Sequence, residues 1–358
     1  MRVLYITKYF PPEPGGIETL SKSLCDFYSN KNITIEVCAF SKHKTYIHNF
    51  KKYKFNFFKQ DFEFFSTPFS LKMFFFVFKN SLKYDYIHII TPNPWPTFFI
   101  SFIKTNNIII SWGSDIINQK VLKFFFKKFQ NLILIKAKKI ICLSKNYLNH
   151  SEDLKKFKSK TVIIPPLILT NSKKKKYNLK KKKINVISVG RLVDYKGHDT
   201  AISAFSLLPK NYFLTIIGSG KLYEPLSMKI KNLNIEKRVK ILNKVNDKKK
   251  HSFLKSSDIF LICSKSRAES FGIAILEALS YSLPVVVSNV KGSGMMDMVL
   301  NNKNGFLFNT NSHKDCAKKI EKLSLQKKKL IKFSFNSNKL FNKNFSKKII
   351  ENKLKKIY

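Results

Sequence analysis

The feature that most constrains this chain is an alternation. Short apolar runs of strand type are separated by longer stretches of helical period, almost throughout its length. In the first half the strand-type runs are Val3–Thr7, Ile33–Phe40, Tyr86–Ile90, Asn107–Ser111, Lys139–Leu143 and Val162–Ile164. Between them, Ile17–Ser29, Asn118–Lys136 and Lys145–Phe157 read as helices. Strand and helix in turn predict parallel sheets covered by helices on both faces. The tract SKKKKYNLKKKK at Ser172–Lys183 then breaks the pattern as a solvated charge run does. A second series follows, through INVISVG, YFLTIIGSG, RVKIL, DIFLICS and PVVVSN, each run leading into a helical stretch.

The 358 residues suit two domains of about 150 to 180 residues each. The expected division is a first doubly wound domain over 1–168 and a Lys-rich linker over 169–183. A second such domain follows over 184–335, and a polar helical tail, 336–358, is expected to pack back on the first. Two such units imply a cleft, with ligands at the carboxyl ends of the strands. The stretch Ser41–Ser70 carries no readable pattern.

A formal charge of +45 raises the question of nucleic acid. Of the 67 basic residues only Arg2, Arg191, Arg238 and Arg267 are Arg. The excess of Lys, with Phe, Asn, Ile and Tyr, follows A/T-rich codons. Base and phosphate recognition favours the planar Arg fork, and no RNA-binding signature or basic recognition helix is present. Nucleic acid is therefore not an expected partner, whereas a Lys surface suits anionic lipid headgroups. The five cysteines have no metal-ligand spacing, and most fall in apolar runs as buried thiols do. MRVLYITKYFPP reads as a first strand, and the greasiest segments, Met73–Phe78 and Thr97–Ile103, are too short to span a bilayer. The expected location is the cytoplasm, with peripheral contact on the cytoplasmic face of the inner membrane.

Three segments carry chemistry. In RAESFGIAILEALSYSLPVVVS, Glu269 precedes a helix, Glu277 lies inside it, and seven residues separate them. Were both helical they would stand about 12 Å apart along the axis. A retaining glycosidase pair needs about 5 Å, so these acids address different parts of an extended ligand. Phe271 and Gly272 let backbone approach that ligand at a helix N-terminus, where an anion is stabilised. In ISVGRLVDYKGHDTAISAF, Arg191 follows a strand and Lys196 opens a helix, a fork and a point charge suited to a diphosphate. In PPEPGGIETL, Gly15 and Gly16 form a strand-to-helix turn, a simple turn by itself and a phosphate-facing one in context.

These segments, in this order, resemble glycosyltransferase family 4, the retaining group 1 glycosyltransferases of GT-B fold: two Rossmann-like domains facing across a cleft. The likeness extends to YDYIHIITPNP, SWGSDIINQK, LSKNYLNHS and VKGSGMMDMV. It implies transfer of a hexose, with a lean to mannose, from a nucleotide-diphosphate sugar to a glycan or lipid-linked acceptor. Glu269 is then expected on the donor-sugar hydroxyls and Glu277 on the ribose. Arg191 and Lys196 would neutralise the diphosphate in place of a metal, in keeping with the lack of any Asp-x-Asp pair. Amides at Gly16, Phe271 and Gly272 would complete the donor site, and no cofactor is implied. The sequence departs from the family at Gly113 and Ile90, where His is usual. Asp115 fits a helix N-cap as well as a ligand contact. His88 reads as a core histidine, and Trp112 and Trp95 as core or acceptor-cleft residues.

Overall fold

A computed structural model describes residues 1–13, 15–50, 53–64, 67–116, 120–168, 170, 172–177, 180 and 182–358. The chain forms two compact units, Met1–Leu169 with Ile350–Tyr358, and Thr170–Ile349. The segment belonging to the first unit at the far end thus starts at Ile350, later than the 336 expected from its polar helical pattern.

The first unit contains strands β1 (Arg2–Ile6), β2 (Thr34–Ser41), β3 (Tyr46–Phe50), β4 (Tyr53–Lys59), β5 (Phe62–Phe64), β6 (Thr67–Phe69), β7 (Tyr86–Thr91), β8 (Ile108–Trp112), β9 (Ala137–Cys142) and β10 (Thr161–Ile163). Its helices are α1 (Gly16–Ser29), α2 (Leu71–Asn80), α3 (Pro94–Ser101), α4 (Lys120–Lys136) and α5 (Lys145–His150). The main sheet has the order β10-β9-β8-β7-β1-β2-β4-β3, parallel except for β3. The stretch Ser41–Ser70, unreadable in sequence, supplies the β3–β4 hairpin at this edge and the small β5–β6 pair.

Right-handed crossovers assign the helices to faces. The steps β4 to β7, β7 to β8 and β8 to β9 run one way along the sheet, placing α2, α3 and α4 in one layer. The step β1 to β2 runs the other way and places α1 opposite. Alternation along the strands matches: Leu4, Ile6, Ile87 and Ile89 share a core with Met73, Val77 and Ile133. On the other face, Tyr5 and His88 meet edge to face at 4.9 Å.

The single helix expected over Lys145–Phe157 divides. Ser144 caps α5 by accepting a hydrogen bond from the Tyr147 amide at 3.0 Å. At Ser151 the backbone turns extended, and a 3-10 segment covers Lys155–Lys160. Residues 117–119, where the expected Asn118 start of α4 falls, lie outside the described residues.

The second unit contains β11 (Ile184–Val189), β12 (Tyr212–Ile217), β13 (Val239–Leu242), β14 (Ile259–Ile262), β15 (Val285–Ser288) and β16 (Gly305–Phe308). Helices α6 (His198–Leu207), α7 (Tyr223–Asn232), α8 (Asp247–Ser256), α9 (Ile273–Ser280), α10 (His313–Ser324) and α11 (Lys327–Asn344) surround it. Last comes α12 (Lys347–Leu354). All six strands are parallel, in the order β13-β12-β11-β14-β15-β16. The order reverses between β11 and β14, and that switch point opens a crevice at the strands' carboxyl ends.

Part of the Lys-rich tract, residues 178, 179 and 181, lies outside the described residues, as do 169 and 171. Its described portion is not a free linker. The Lys173 amide donates to the Ser280 carbonyl at 2.8 Å, Lys175 Nζ donates to the Lys255 carbonyl at 2.8 Å, and Tyr177 packs on the core.

His88 is a titratable group held inside the first unit. It is fully buried, with Nδ1 2.5 Å from the Tyr358 hydroxyl and Nε2 2.8 Å from Ser111 Oγ. Burial pulls its pKa down to about 3. The unfolded imidazole, near 6.5, binds its proton first, so this contribution is complete above that pH and lost as pH falls. Lowering pH from 6.5 to about 5 is expected to remove about 2 kcal/mol. Urea titrations across this range test it: His88→Gln should flatten the slope, whatever its absolute stability.

Candidate active site at the second sheet's switch point

Two neighbouring strands at the reversal end in the loops that carry the candidate residues. The loop after β11 bears Arg191 and Lys196, and the loop after β14 bears Glu269. The structure brings Lys196 and Glu269 into direct contact, Nζ on Oε2, with side chains only 13% and 10% exposed. Ser264 Oγ donates to the same carboxylate oxygen at 3.3 Å. From beyond β15, Ser293 Oγ donates to the Glu269 carbonyl at 2.5 Å, and the Gly294 amide to the Ser270 carbonyl at 2.7 Å. Glu269 is thereby fixed at both ends.

This closeness needs Gly197. Its φ is +66°, and a Cβ there would lie 2.0 Å from the Cys263 carbonyl oxygen at the end of β14. Only a residue without a side chain allows the first loop to lie against the second strand. Lys265 ties the loops again, donating its amide to the Tyr195 carbonyl at 2.7 Å and its ammonium to Asp194 at 2.9 Å.

Arg191 is not part of the Lys196–Glu269 contact. It is exposed and donates to the Tyr195 hydroxyl at 2.9 Å, while Lys196 Nζ lies 5.6 Å from that ring. Both cations thus lie near one tyrosine ring. His198, the first residue of α6, adds no third charge: burial, then the Lys196 ammonium, pulls its pKa to about 4.

Glu277 occupies a separate place. The helix α9 begins at Ile273, so Glu269 lies in the loop before it and the axial spacing computed for two helical acids does not apply. Gly272 opens α9 at φ +84°, and Phe271 beside it is buried. Glu277 is held by Lys250 of α8 at 2.8 Å, with side chains 14% and 17% exposed. Burial draws the Lys250 pKa down, but the Glu277 charge and hydrogen bonds to Glu277 and Asp247 outweigh it, leaving the ammonium above its ordinary value. Sequence reasoning missed Lys250 because it ends the run Lys248–Lys250, which reads as solvent-facing. It also missed Ser293, whose segment was recognised only for its likeness to the family.

In the first unit, Gly16 begins α1 at the turn after β1. Pro14 of that turn lies outside the described residues. Gly113 donates its amide to the Thr91 carbonyl at 2.8 Å, and a Cβ at 113 would stand 2.7 Å from the same oxygen. Backbone occupies the direction in which the family's imidazole would begin. Asp115 is buried, with Oδ1 accepting from Trp112 Nε1 at 3.0 Å and from Ser151 Oγ at 2.6 Å. Trp112 is core. Trp95 lies in an aromatic cluster with Phe69 and Phe126. Among the described residues no group of three His, Cys, Asp or Glu could hold a metal ion.

The family described as glycosyl transferases group 1 matches residues 170–340. The D-rhamnosyltransferase WbpZ of Pseudomonas aeruginosa is 26% identical, over 86% of this chain and 82% of its own. The O-antigen chain mannosyltransferase C of Escherichia coli is 27% identical, over 82% and 81%. The crystal structure of Anabaena HepE in complex with UDP and glucose superposes with a TM-score of 0.79 at 17% identity, covering 99% of this chain and 98% of that one. The structural likeness shows the fold, GT-B with two Rossmann-like units.

The Lys250–Glu277 bond should behave as a partly buried pair. A double-mutant cycle with Lys250→Met and Glu277→Gln is expected to give a coupling of about 1 to 3 kcal/mol in urea unfolding. Additive effects of the two changes would show that the contact contributes nothing specific.

Proposed function

We propose that this chain, whose residues 170–340 match the group 1 glycosyltransferases, moves a hexose from a nucleotide-diphosphate sugar to a glycan or lipid-linked acceptor in surface polysaccharide or lipopolysaccharide assembly. The observation carrying this reading is the Lys196–Glu269 contact at the switch point, with Arg191 on the same loop as Lys196. The names of the two bacterial relatives support an O-antigen type of product and a mannose-like hexose. The second unit takes the donor and the first unit the acceptor.

In this mechanism Lys196 and Arg191 take up the charge that develops on the departing diphosphate. Such stabilisation in a preorganised, water-poor site is worth several kcal/mol. Glu269 holds hydroxyls of the transferred sugar. Because Glu269 and the phosphate share one ammonium, donor arrival couples the two: phosphate drawn to Lys196 loosens its hold on the carboxylate that must grip the sugar. The αL turn at Gly272 and the start of α9 present amides to the donor, with Phe271 packing that turn in place. Glu277 takes the ribose, and Gly16 offers its amide from the first unit. No side chain is assigned as a nucleophile. The acceptor hydroxyl attacks on the face the diphosphate leaves; the sugar–phosphate bond breaks as the new glycosidic bond forms, the hydroxyl proton passes to the departing diphosphate, and configuration is retained. We further assign the protein to the cytoplasm, against the inner membrane, with no nucleic-acid partner.

Gly113 favours a second reading, a relative that binds nucleotide without transferring sugar, since the imidazole usual there is missing and backbone fills its direction. One set of measurements separates the two. A thermal-shift panel of UDP, GDP and their sugars should raise the midpoint for one nucleotide, by mass action. Glu269→Gln and Lys196→Gln should each cut kcat/KM about 10²- to 10³-fold, and Glu277→Gln should act mainly on donor KM. Binding with no turnover against any acceptor would select the second reading. Full turnover by Glu269→Gln would overturn the first.

A further inference from the structure

We propose that the outer side of the α2–α3–α4 layer is a lipid-contact face that seats the first unit on an anionic membrane surface. The helix α2, LKMFFFVFKN, is apolar on two sides. Met73 and Val77 are fully buried against the sheet. Leu71, Phe75 and Phe78 are 50%, 60% and 58% exposed, and Leu82 in the turn that follows is 69% exposed. Positions 71, 75, 78 and 82 recur at helical period, so they form one stripe along the helix. A packed helix needs only one apolar face, and the second one calls for a partner. The stripe does not stand alone. On α4 Phe124 and Phe125 are 80% and 66% exposed, and α3 joins the layer through Phe74–Phe99 at 4.9 Å and Phe98–Phe129 at 4.7 Å.

Charge decides what covers it. Over 70–84, 94–107 and 120–136 the chain has no Asp or Glu. Lys72, Lys79, Lys83, Lys104, Lys127 and Lys128 are all exposed there. These aromatic rings are flanked by six lysines and, at the α2 N-terminus, by Asp61, which accepts the Leu71 amide at 2.7 Å; the positive excess matches a headgroup region, where rings enter the acyl boundary and ammonium groups reach anionic phosphates. A second copy would set one lysine-fringed face against another of the same sign, which disfavours pairing. No described helix is long and apolar enough to cross the bilayer, so the contact is interfacial.

The proposal deepens the reading of a lipid-linked acceptor and a membrane partner. Its test needs no turnover, so the two can fail separately. The full chain is sedimented with vesicles of phosphatidylglycerol and phosphatidylcholine in equal parts, and with phosphatidylcholine alone. Binding is expected to the anionic vesicles, about tenfold weaker to neutral ones, and weakened by salt. Phe75→Ser with Phe78→Ser should lower partitioning at least about tenfold while the unfolding midpoint and nucleotide binding stay unchanged. A Phe78→Trp reporter should be quenched by brominated acyl chains. Absence of binding to anionic vesicles, undiminished binding by the double variant, or an unquenched reporter would each overturn the proposal. A lipid-independent dimer lost in the double variant, without vesicle binding, would assign the face to a second copy instead.

Discussion

The bond between Lys196 and Glu269 is the constraint on which the arrangement of the second unit depends. It crosses the one place where the parallel order reverses, joining the loop after β11 to the loop after β14. An ion pair this enclosed is a weak source of net stability, because desolvation cancels most of the attraction, yet losing one member leaves a buried charge unanswered. Its effect is therefore on geometry. The surrounding features fit that role: Gly197 permits the approach, Ser264 shares the carboxylate, and Ser293 holds the backbone behind it. The same features preorganise a site, since a carboxylate held at side chain and carbonyl needs little reorganisation when a ligand arrives.

Enclosed polar groups in this chain are answered in two ways. In the first unit, His88 and Asp115 are buried beside the hydroxyls of Tyr358, Ser111 and Ser151 and the indole of Trp112, while Glu36 meets Lys54 at 3.2 Å. In the second, the enclosed acids Glu269 and Glu277 each meet a lysine. In a chain with 22 acids among 67 bases, most lysines must face solvent, and the few enclosed with carboxylates stand out. That distribution separates the +45 charge from the chemistry. The surface lysines reflect composition, while Lys196 and Lys250 are placed by helix starts and helix phase.

Much of this was legible in the sequence because the signals were local. Parallel strands buried on both faces are continuous apolar runs, so β1, β2, β7, β8, β9 and β11 to β15 stood out within a few residues, whereas the four-residue β16 did not. The loops bearing Arg191, Lys196 and Glu269 follow directly from those strands. What stayed hidden depends on contacts distant in sequence. The hairpin of β3 and β4 has no crossover helix to announce it. The break after α5 depends on Ser151 answering Asp115, thirty-six residues earlier. The Lys173 segment reads as solvated by charge and is held by backbone bonds to Ser280 that no charge pattern reports. In α2 nearly every residue is apolar, so period alone cannot say which side packs and which is left outside.

The glycine at 113 sharpens what the phosphate cations must accomplish. General acid–base assistance is worth roughly 10²- to 10⁴-fold, whereas positioning two reactants can supply about 7 to 11 kcal/mol and leaving-group stabilisation several more. On the proposed reading, the imidazole missing at 113 removes one of the smaller contributions, and Lys196 and Arg191 supply a larger one. Restoring it is not a matter of one substitution, since the Thr91 carbonyl already occupies the first bond of such a side chain and is itself bound by the Gly113 amide. The backbone here is built for glycine. In the proposed mechanism the electrostatic demand therefore falls on Lys196 and Arg191, and on the carboxylate that shares the first of them.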